Sequence, residues 1–427
     1  EKFLENPRVL AFDIETYNKN VIPNEEEDEI VMLSFASSTG LKKVITWKKF
    51  KAQNYVEFVN DEKELLKRFK QVIYDQKPDF LVGYFSDGFD FPYIKERAKK
   101  LNIKLDIGID GSNLKMSVRN GIKSAKINGF THFDVFKFIR FTMGQGIKLD
   151  SYGLGEVSKN LLNEKKVDVS MEDFAYCWDK NKNLEKYAEY NLQDSVLTLK
   201  LFDKLKPNLF EITKLIAIPP GYIPRMSFGQ LVEWYMIRNI RRFNEIVPNR
   251  PRYKEISQRS RQTFEGAFVY EPEPGLYEKI AVFDFTSLYP SIIASHNICP
   301  SAITSKNKNV YVSPEIEVGK NQVKYKFDKE KQGFFSKIIK DILIARREVA
   351  KKLKKDPKNP LLNARKYTLK ILANSFYGYF AFQGARWYSL ECAASTAAYG
   401  RHYIKKVVDE AENKGFKVIY GDTDSAF

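Results

Sequence analysis

Acidic residues at the ends of apolar runs are where this chain first suggests chemistry. The run Ile280-Ala-Val-Phe delivers Asp284 to a Ser-Leu-Tyr-Pro turn, within VFDFTSLYPSII at 282–293. A second apolar run, Val418-Ile-Tyr, enters a Gly turn carrying Asp422 and Asp424. A carboxylate at the end of a buried strand must be hydrogen-bonded, ion-paired or given to a metal. Neither acidic turn contains Lys or Arg, so three carboxylates gathered from two strand ends point to a divalent cation. Hard cations such as Mg²⁺ take oxygen ligands and share them with substrate phosphates.

A second set lies nearer the N-terminus. In Phe12-Asp-Ile-Glu-Thr, positions i and i+2 of a strand face one way, pairing Asp13 with Glu15. Alone, a D-x-E pair is a weak signal. Asp90 ends the turn GYFSDGFD that feeds a helix, where it reads equally as an N-cap. Tyr190 and Asp194 are spaced i, i+4 in a helical segment and share a face. Taken together, four carboxylates and a tyrosine suit two-metal phosphodiester hydrolysis. On a later helix Lys370, Asn374, Tyr377 and Gly378 also share a face. There a lysine point charge suits a triphosphate, Tyr377 a base, and Arg346 on the preceding helix a bidentate phosphate contact. The plain alternative for Lys370 is a solvated amphipathic face.

The elements that must position these groups change character along the chain. Residues 1–205 read as α/β: strands at 8–15, 30–36, 43–47 and 80–83, helices at 61–75, 92–101 and 184–205, the last ending before Pro207. An Asn120-Gly121 pair marks a two-residue hairpin. Pro219-Pro-Gly marks a boundary, followed by an amphipathic helix at 227–244 and a basic connector at 248–262 without periodicity. Residues 310–327 read as an extended hairpin. Two helices at 334–355 and 361–380, joined by Asp-Pro-Lys-Asn-Pro, form an antiparallel pair, and a third helix covers 393–414.

Composition bounds the partners. At 427 residues, 43% hydrophobic and 29% charged, the chain needs two or three domains. No apolar run approaches the ~20 residues of a membrane span, and no apolar leader opens the chain. Three scattered cysteines support neither a disulfide framework nor a zinc site. Seventy Lys and Arg against 54 Asp and Glu leave a net charge of +16, which suits a polyanion or simply a basic, solubilising surface.

The motifs DFTSLYPSII, KILANSFYG and YGDTDS resemble motifs A, B and C of family B DNA polymerases, in that family's order. FDIET, GFDFPYI and YNLQD resemble its three exonuclease motifs, and Phe264-Glu-Gly-Ala its YxGG linker; the flavour is that of archaeal replicative enzymes. The resemblance implies a multidomain α/β chain, with an RNase H-like 3′-5′ exonuclease domain at 1–206. An α+β palm at 207–330 and 379–427 would follow, with a helical-hairpin fingers insertion at 331–378. It implies metal ligation by Asp284, the Phe285 carbonyl and Asp424, with Asp422 an adjacent acid. Ser287, Leu288 and Tyr289 would touch the triphosphate, Tyr289 rejecting a 2′-hydroxyl. Arg346, Lys370 and Asn374 would hold phosphates and Tyr377 line the nascent base pair. In the exonuclease, Asp13, Glu15, Asp90 and Asp194 would hold metals and Tyr190 orient water, while His132 and Asp134 give structural support.

The implied function is template-directed DNA synthesis with 3′-5′ proofreading, using two Mg²⁺ per site, with Mn²⁺ as the other candidate. Two alternatives are an exonuclease-only chain that needs a thumb-bearing second polypeptide, and a non-catalytic subunit of a replication complex. Partners would be primer-template DNA, dNTPs, that polypeptide and a sliding clamp; the location would be the cytoplasm, at the nucleoid. Only twelve residues precede Asp13 and three follow Asp424, so an N-terminal domain and a thumb are expected to be missing through a split gene or a trimmed chain. Phe85 and Gly88 stand where the family usually carries Asn, and FEGA replaces YxGG, which puts strand handling and switching between activities in question.

Overall fold

The computed structural model describes residues 6–18, 22–119, 121–144, 149–167, 169–272, 274–319 and 321–427. Asn120 of the hairpin pair and the opening residues 1–5 lie outside them. Two compact units are present, one of residues 1–213 with 218–226, the other of 214–217 with 227–427.

The first unit is built on a mixed six-stranded sheet. Its strands are β1 (Val9–Thr16), β2 (Ile30–Ser37), β3 (Lys42–Thr46), β4 (Val56–Phe58), β5 (Phe80–Gly83) and β8 (Thr131–Asp134), ordered β4-β3-β2-β1-β5-β8. β1 is central, antiparallel to β2 and parallel to β5, and buried along almost its whole length. That is why it reads as a continuous apolar run interrupted by two acids. Helix α1 (Glu62–Gln76) starts where the Asp61 carboxylate accepts the Glu64 N–H at 2.7 Å, and buries Leu65, Leu66, Phe69, Val72 and Ile73. α2 (Asp90–Lys100) packs beside it, with the Phe12 ring 5.6 Å from Phe69 and 5.0 Å from Phe91. A hairpin, β6 (Lys115–Arg119) with β7 (Ile122–Lys126), comes before β8. Beyond β8, α3 (Val135–Lys137) runs into a π-helical turn at Phe138–Met143. α4 (Leu154–Leu162) and α5 (Phe174–Asp179) follow.

The long helix α6 (Leu184–Ile216) does not stop before Pro207 but runs through it. An interior proline costs about 3 kcal/mol. Beyond it, however, Leu209, Ile212 and Ile216 extend the buried stripe of Leu197, Leu201 and Leu205, and each such side chain returns about 1.5–3 kcal/mol. The first compact unit accordingly carries the helix on to 213.

In the second unit, α7 (Phe228–Asn239) opens on a Ser227/Gln230 capping box. The basic connector contains a short helix, α8 (Tyr253–Arg259), that periodicity could not reveal because it buries no side chain; Glu255 caps it by accepting the Arg252 N–H at 2.6 Å. β9 (Val269–Tyr270) and β10 (Phe283–Asp284) precede α9 (Leu288–Ser295). The extended hairpin is two-tiered: β11 (Val310–Val312) pairs with β14 (Lys326–Asp328), and β12 (Ile316–Val318) with β13 (Asn321–Val323). α10 (Phe334–Lys355) and α11 (Pro360–Ala381) pack on each other and, with α7, α9 and α12 (Leu390–Asn413), enclose a core centred on Phe335, Phe376 and Phe380. The last strands, β15 (Gly421–Asp422) and β16 (Ser425–Ala426), complete a sheet ordered β10-β16-β15-β9.

Here the expectation of a buried strand before Asp284 fails. Ile280, Val282 and Phe283 are 49%, 56% and 65% exposed. β10 is a two-residue edge strand hydrogen-bonded on one side only, so its apolar residues mark a strand without burying it.

Among the described residues no helix is long and apolar enough to cross a membrane.

Candidate active sites

In the first unit, pleating turns Phe12 and Ile14 toward α1 and α2 and leaves Asp13 and Glu15 on the face that α6 covers. Ser34 on the neighbouring strand ties that helix down, donating to the Asn191 carbonyl at 2.6 Å and lying 2.7 Å from the Ser195 hydroxyl. Carboxylate oxygens of Asp13, Glu15 and Asp194 thus come within 4.8 Å of one another. Asp90, the first residue of α2, is buried but falls outside that group. Nor is it an N-cap: the cap is Phe89, which makes no side-chain hydrogen bond.

The electrostatics of the cluster are those of carboxylates crowded away from water. Burial first, then the charges of Asp194, Asp90 and Glu15, push the Asp13 carboxyl well above the usual range. Burial and Asp194 raise Glu15 to about 8. Burial raises Asp90 to about 7 against the backbone N–H groups of Asp90 and Ile14, with Asp134 and Asp194 adding to the rise. Asp194, although offset by Lys166, is raised to about 6 by burial. The donor set fits a hard divalent cation: all ligand atoms are carboxylate oxygens, and the buried Asp194 Oδ1 has no hydrogen-bond partner.

Two residues beside the cluster carried no signal in the sequence. Asn191 Nδ2 donates to Asp13 Oδ2 at 2.9 Å. Lys166 Nζ donates to Asp194 Oδ2 and to the Tyr190 hydroxyl oxygen, both at 2.6 Å, and lies 3.8 Å from the Tyr190 ring centre. Burial works against its charge, but Asp194 and Tyr190 prevail and raise its pKa. Burial, then Asp194, raises Tyr190 to about 12, so the phenol keeps its proton. A cavity of about 510 Å³ lined by Lys159, Lys165, Lys166 and Tyr190 opens there. One lysine in a chain with 70 basic residues stands out only once folding sets it against Asp194.

The turn before Asp90 has its own scaffold. Fully buried Asp87 accepts from Arg225 Nε at 2.7 Å and Nη2 at 2.9 Å, from Lys137 Nζ at 2.9 Å and from the Ala125 N–H at 2.6 Å. Burial opposes its charge, but His132 and Arg225 hold its carboxyl far below the usual range. His132 Nε2 lies 2.9 Å from the Ser86 hydroxyl. Asp134 accepts the N–H groups of Phe85, Asp87 and Lys137 at 3.2, 3.0 and 3.1 Å.

In the second unit, the β10–β16 pairing sets Asp284 opposite Ser425, and the Phe285 N–H donates to the Asp424 carbonyl at 2.8 Å. Asp284 and Asp422 are exposed and Asp424 half-buried; burial, then Asp284 and Asp422, raise the Asp424 pKa. Asp424 feels the charges of the other two, yet the three acids do not close to the spacing of the first cluster. Ser287, at a φ of 58°, caps α9, and its hydroxyl accepts from Arg346 Nη1; burial lowers the Arg346 pKa. Leu288 is buried. The Tyr289 and Tyr377 rings are 4.3 Å apart. On α11, Lys370, Asn374 and Gly378 face solvent and Tyr377 is half-buried. Among the described residues no hydrogen bond or ion pair joins Lys370 or Asn374 to the three acids.

Residues 227–427 match DNA polymerase family B, and residues 1–157 match its exonuclease domain. A DNA polymerase of Pyrococcus glycovorans is 40% identical over 99% of this chain and 53% of its own length. DNA polymerase 1 of Pyrococcus abyssi is 40% identical over 98% and 53%. The solved family B DNA polymerase of Pyrobaculum calidifontis superposes with a TM-score of 0.81 at 32% identity, covering all of this chain and 54% of that one. The chain spans about half the length of these relatives. With an exonuclease module followed by a polymerase module on a mixed α/β fold, it belongs to DNA polymerase family B.

Proposed function

We propose that this chain catalyses template-directed DNA synthesis from a primer 3′-hydroxyl and removes 3′-terminal nucleotides at a second site. The observation that carries the 3′-removal reading is the triad of half-buried Asp13 with buried Glu15 and Asp194, with an unpartnered oxygen and with Lys166 and Tyr190 at its edge. The first unit is read as an RNase H-like exonuclease at about 1–206, and α10 with α11 as a fingers hairpin at 331–378 on a palm at 207–330 and 379–427.

At the exonuclease site Asp13, Glu15, Asp194 and Asp90 would hold Mg²⁺, or Mn²⁺. Bound there, divalent cations lower the pKa of the attacking water and offset charge on the leaving oxygen. Lys166 donates to the phenol oxygen of Tyr190, which leaves the phenol proton free to orient that water. The Lys166 ammonium also stands where a phosphate's charge would be met.

At the polymerase site Asp284, the Phe285 carbonyl and Asp424 would hold the cations, with Asp422 alongside. Arg346, Lys370 and Asn374 would hold the triphosphate against Ser287 and Leu288. Tyr289, braced on Tyr377, would exclude a ribose 2′-hydroxyl. The net charge of +16 suits binding through the DNA backbone with little sequence preference. A sliding clamp and a thumb-bearing polypeptide are the protein partners this reading adds, acting in the cytoplasm at the nucleoid.

A second reading, an exonuclease that needs a partner to polymerise, is favoured by one contrast. The acids of the first unit are gathered and buried, whereas those of the second lie spread on an open sheet of two-residue strands. Primer extension and 3′ degradation with Mg²⁺ decide between them, using the chain and its Asp284→Ala and Asp13→Ala variants. Extension lost only in Asp284→Ala supports the full reading. Degradation without extension, lost in Asp13→Ala, supports the second. Neither activity from folded protein sinks both.

A further inference from the structure

Phe85 is an anomaly that the acid cluster does not explain. Its φ is +63°, in the left-handed region that a bulky side chain rarely enters, and its ring is 44% exposed. Such a conformation is strained and persists only where the surroundings dictate it. Here they do: the Phe85 N–H donates to Asp134 at 3.2 Å, and its carbonyl accepts from Gly88 at 2.8 Å and Phe89 at 3.0 Å. The strain leaves nearly half of the residue in solvent, so core packing alone does not account for it.

What the strain achieves is display. The Phe85 ring lies over Gly88, where a Cβ would come within 2.3 Å of its Cζ, so Gly88 clears the space the ring occupies. The Phe85 and Phe136 rings meet edge to face with centres 5.0 Å apart, and Tyr84 braces Phe136 from 5.8 Å. The exposed Arg140 extends the patch, its guanidinium carbon 6.0 Å from the Phe136 ring centre and 5.6 Å from that of Tyr152. The patch also belongs to the cluster's neighbourhood. The Phe85 carbonyl accepts the N–H of Phe89, the residue that caps the helix Asp90 begins.

A rigid aromatic face with a cation at its rim, beside carboxylates suited to phosphodiester chemistry, is what a single nucleic-acid strand requires. Bases stack on such rings irrespective of sequence, and an arginine meets the backbone. We propose that Phe85 is a base-stacking platform that positions an unpaired 3′-terminal segment of a DNA strand for the exonuclease site, with Arg140 meeting its backbone. The proposal rests on the exonuclease reading above. Since stacking asks only for a π-face, the platform grips any base that has left the duplex and makes strand separation, not base identity, the selective step.

The test uses single-stranded oligonucleotides that carry either ordinary bases or abasic sites in the last three positions. Phe85→Gly is the main variant, because glycine accepts a positive φ and its fold is not at risk; Phe85→Tyr is the conservative one. Stacking of ~1–3 kcal/mol per base predicts a rise in KM for degradation of roughly ten-fold in Phe85→Gly, with kcat less affected. Phe85→Tyr should restore the wild-type KM. A 2-aminopurine at the 3′ end, bound in EDTA, should be quenched by wild type and Phe85→Tyr and stay bright with Phe85→Gly. The penalty for abasic ends should be present in wild type and absent in Phe85→Gly. Equal KM, equal quenching and an equal abasic penalty in wild type and Phe85→Gly overturn the platform while leaving the exonuclease reading intact. Failure of wild type to degrade any 3′ end, with 2-aminopurine still quenched only where the ring is present, sinks the exonuclease reading instead.

Discussion

Removing one charge from the carboxylate cluster should stabilise the protein while abolishing the proposed 3′ degradation. Glu15 titrates near 8 in the fold against an ordinary 4.5. At full ionisation that displacement corresponds to about 5 kcal/mol held against the native state. In Glu15→Gln part of this is already relieved in wild type by the proton on Asp13, with which it titrates, so about 2 kcal/mol should appear as stability. In a unit of this size that is about 4–8 °C in Tm. The sign follows from proton counting. Between about pH 4.5 and 8 the native state keeps a proton that the unfolded chain has released, so wild-type stability falls as pH rises through that window. Glutamine does not titrate, so the variant's advantage grows from nothing near pH 4.5 to its full value near pH 8. Thermal unfolding followed by circular dichroism in EDTA at both ends of that range reads it directly. Added Mg²⁺ should stabilise wild type more than the variant at the upper end, since a cation binding the native state alone stabilises it. A variant less stable than wild type in EDTA near pH 8 would refute the reasoning, because burial and Asp194 would then not be opposing the Glu15 charge.

Two further outcomes follow from the same coordinates. Asp87→Asn leaves Lys137 and Arg225 facing a neutral amide in a fully buried site, a loss of about 3–5 kcal/mol. Tm should fall by about 6 °C or more, and 3′ degradation should weaken as the turn before Asp90 loosens; an unchanged Tm would show the network to be dispensable. Gly400→Ala places a methyl within 2.8 Å of Tyr289 Cε1, forcing the ring from its 4.3 Å contact with Tyr377. Discrimination between deoxy- and ribonucleotides, measured as the ratio of their kcat/KM values, should then fall at least several-fold. An unaltered ratio would remove Tyr289 from that role.

Local pattern carried much of the architecture. The stripe Leu65, Leu66, Phe69, Val72 and Ile73 declares α1 because helical burial repeats every three to four residues. The run around Asp13 declares a central strand because both its faces are covered. Pattern failed where energies compete or burial is absent. Pro207 is a strong local stop, overridden by apolar burial further along α6. Around Asp284 the apolar residues mark a strand but not its surroundings, and they stay exposed.

The sequence by itself determined which residue types stand at which intervals: the D-x-E pair on a strand, the Tyr190 and Asp194 spacing on a helix, and the acids beside Gly421. Those facts follow from helix and strand periods, which are properties of a few consecutive residues. Only the tertiary structure decided which groups meet. It drew Asp13, Glu15 and Asp194 within 4.8 Å of one another and set Asp90 near but outside that group. It brought Lys166 from a loop 28 residues before Asp194, and it clamped Asp87 with Arg225 from 138 positions away. It also turned Phe85 outward over Gly88. Charge coupling and desolvation depend on distances through space, and no periodicity along the chain encodes them.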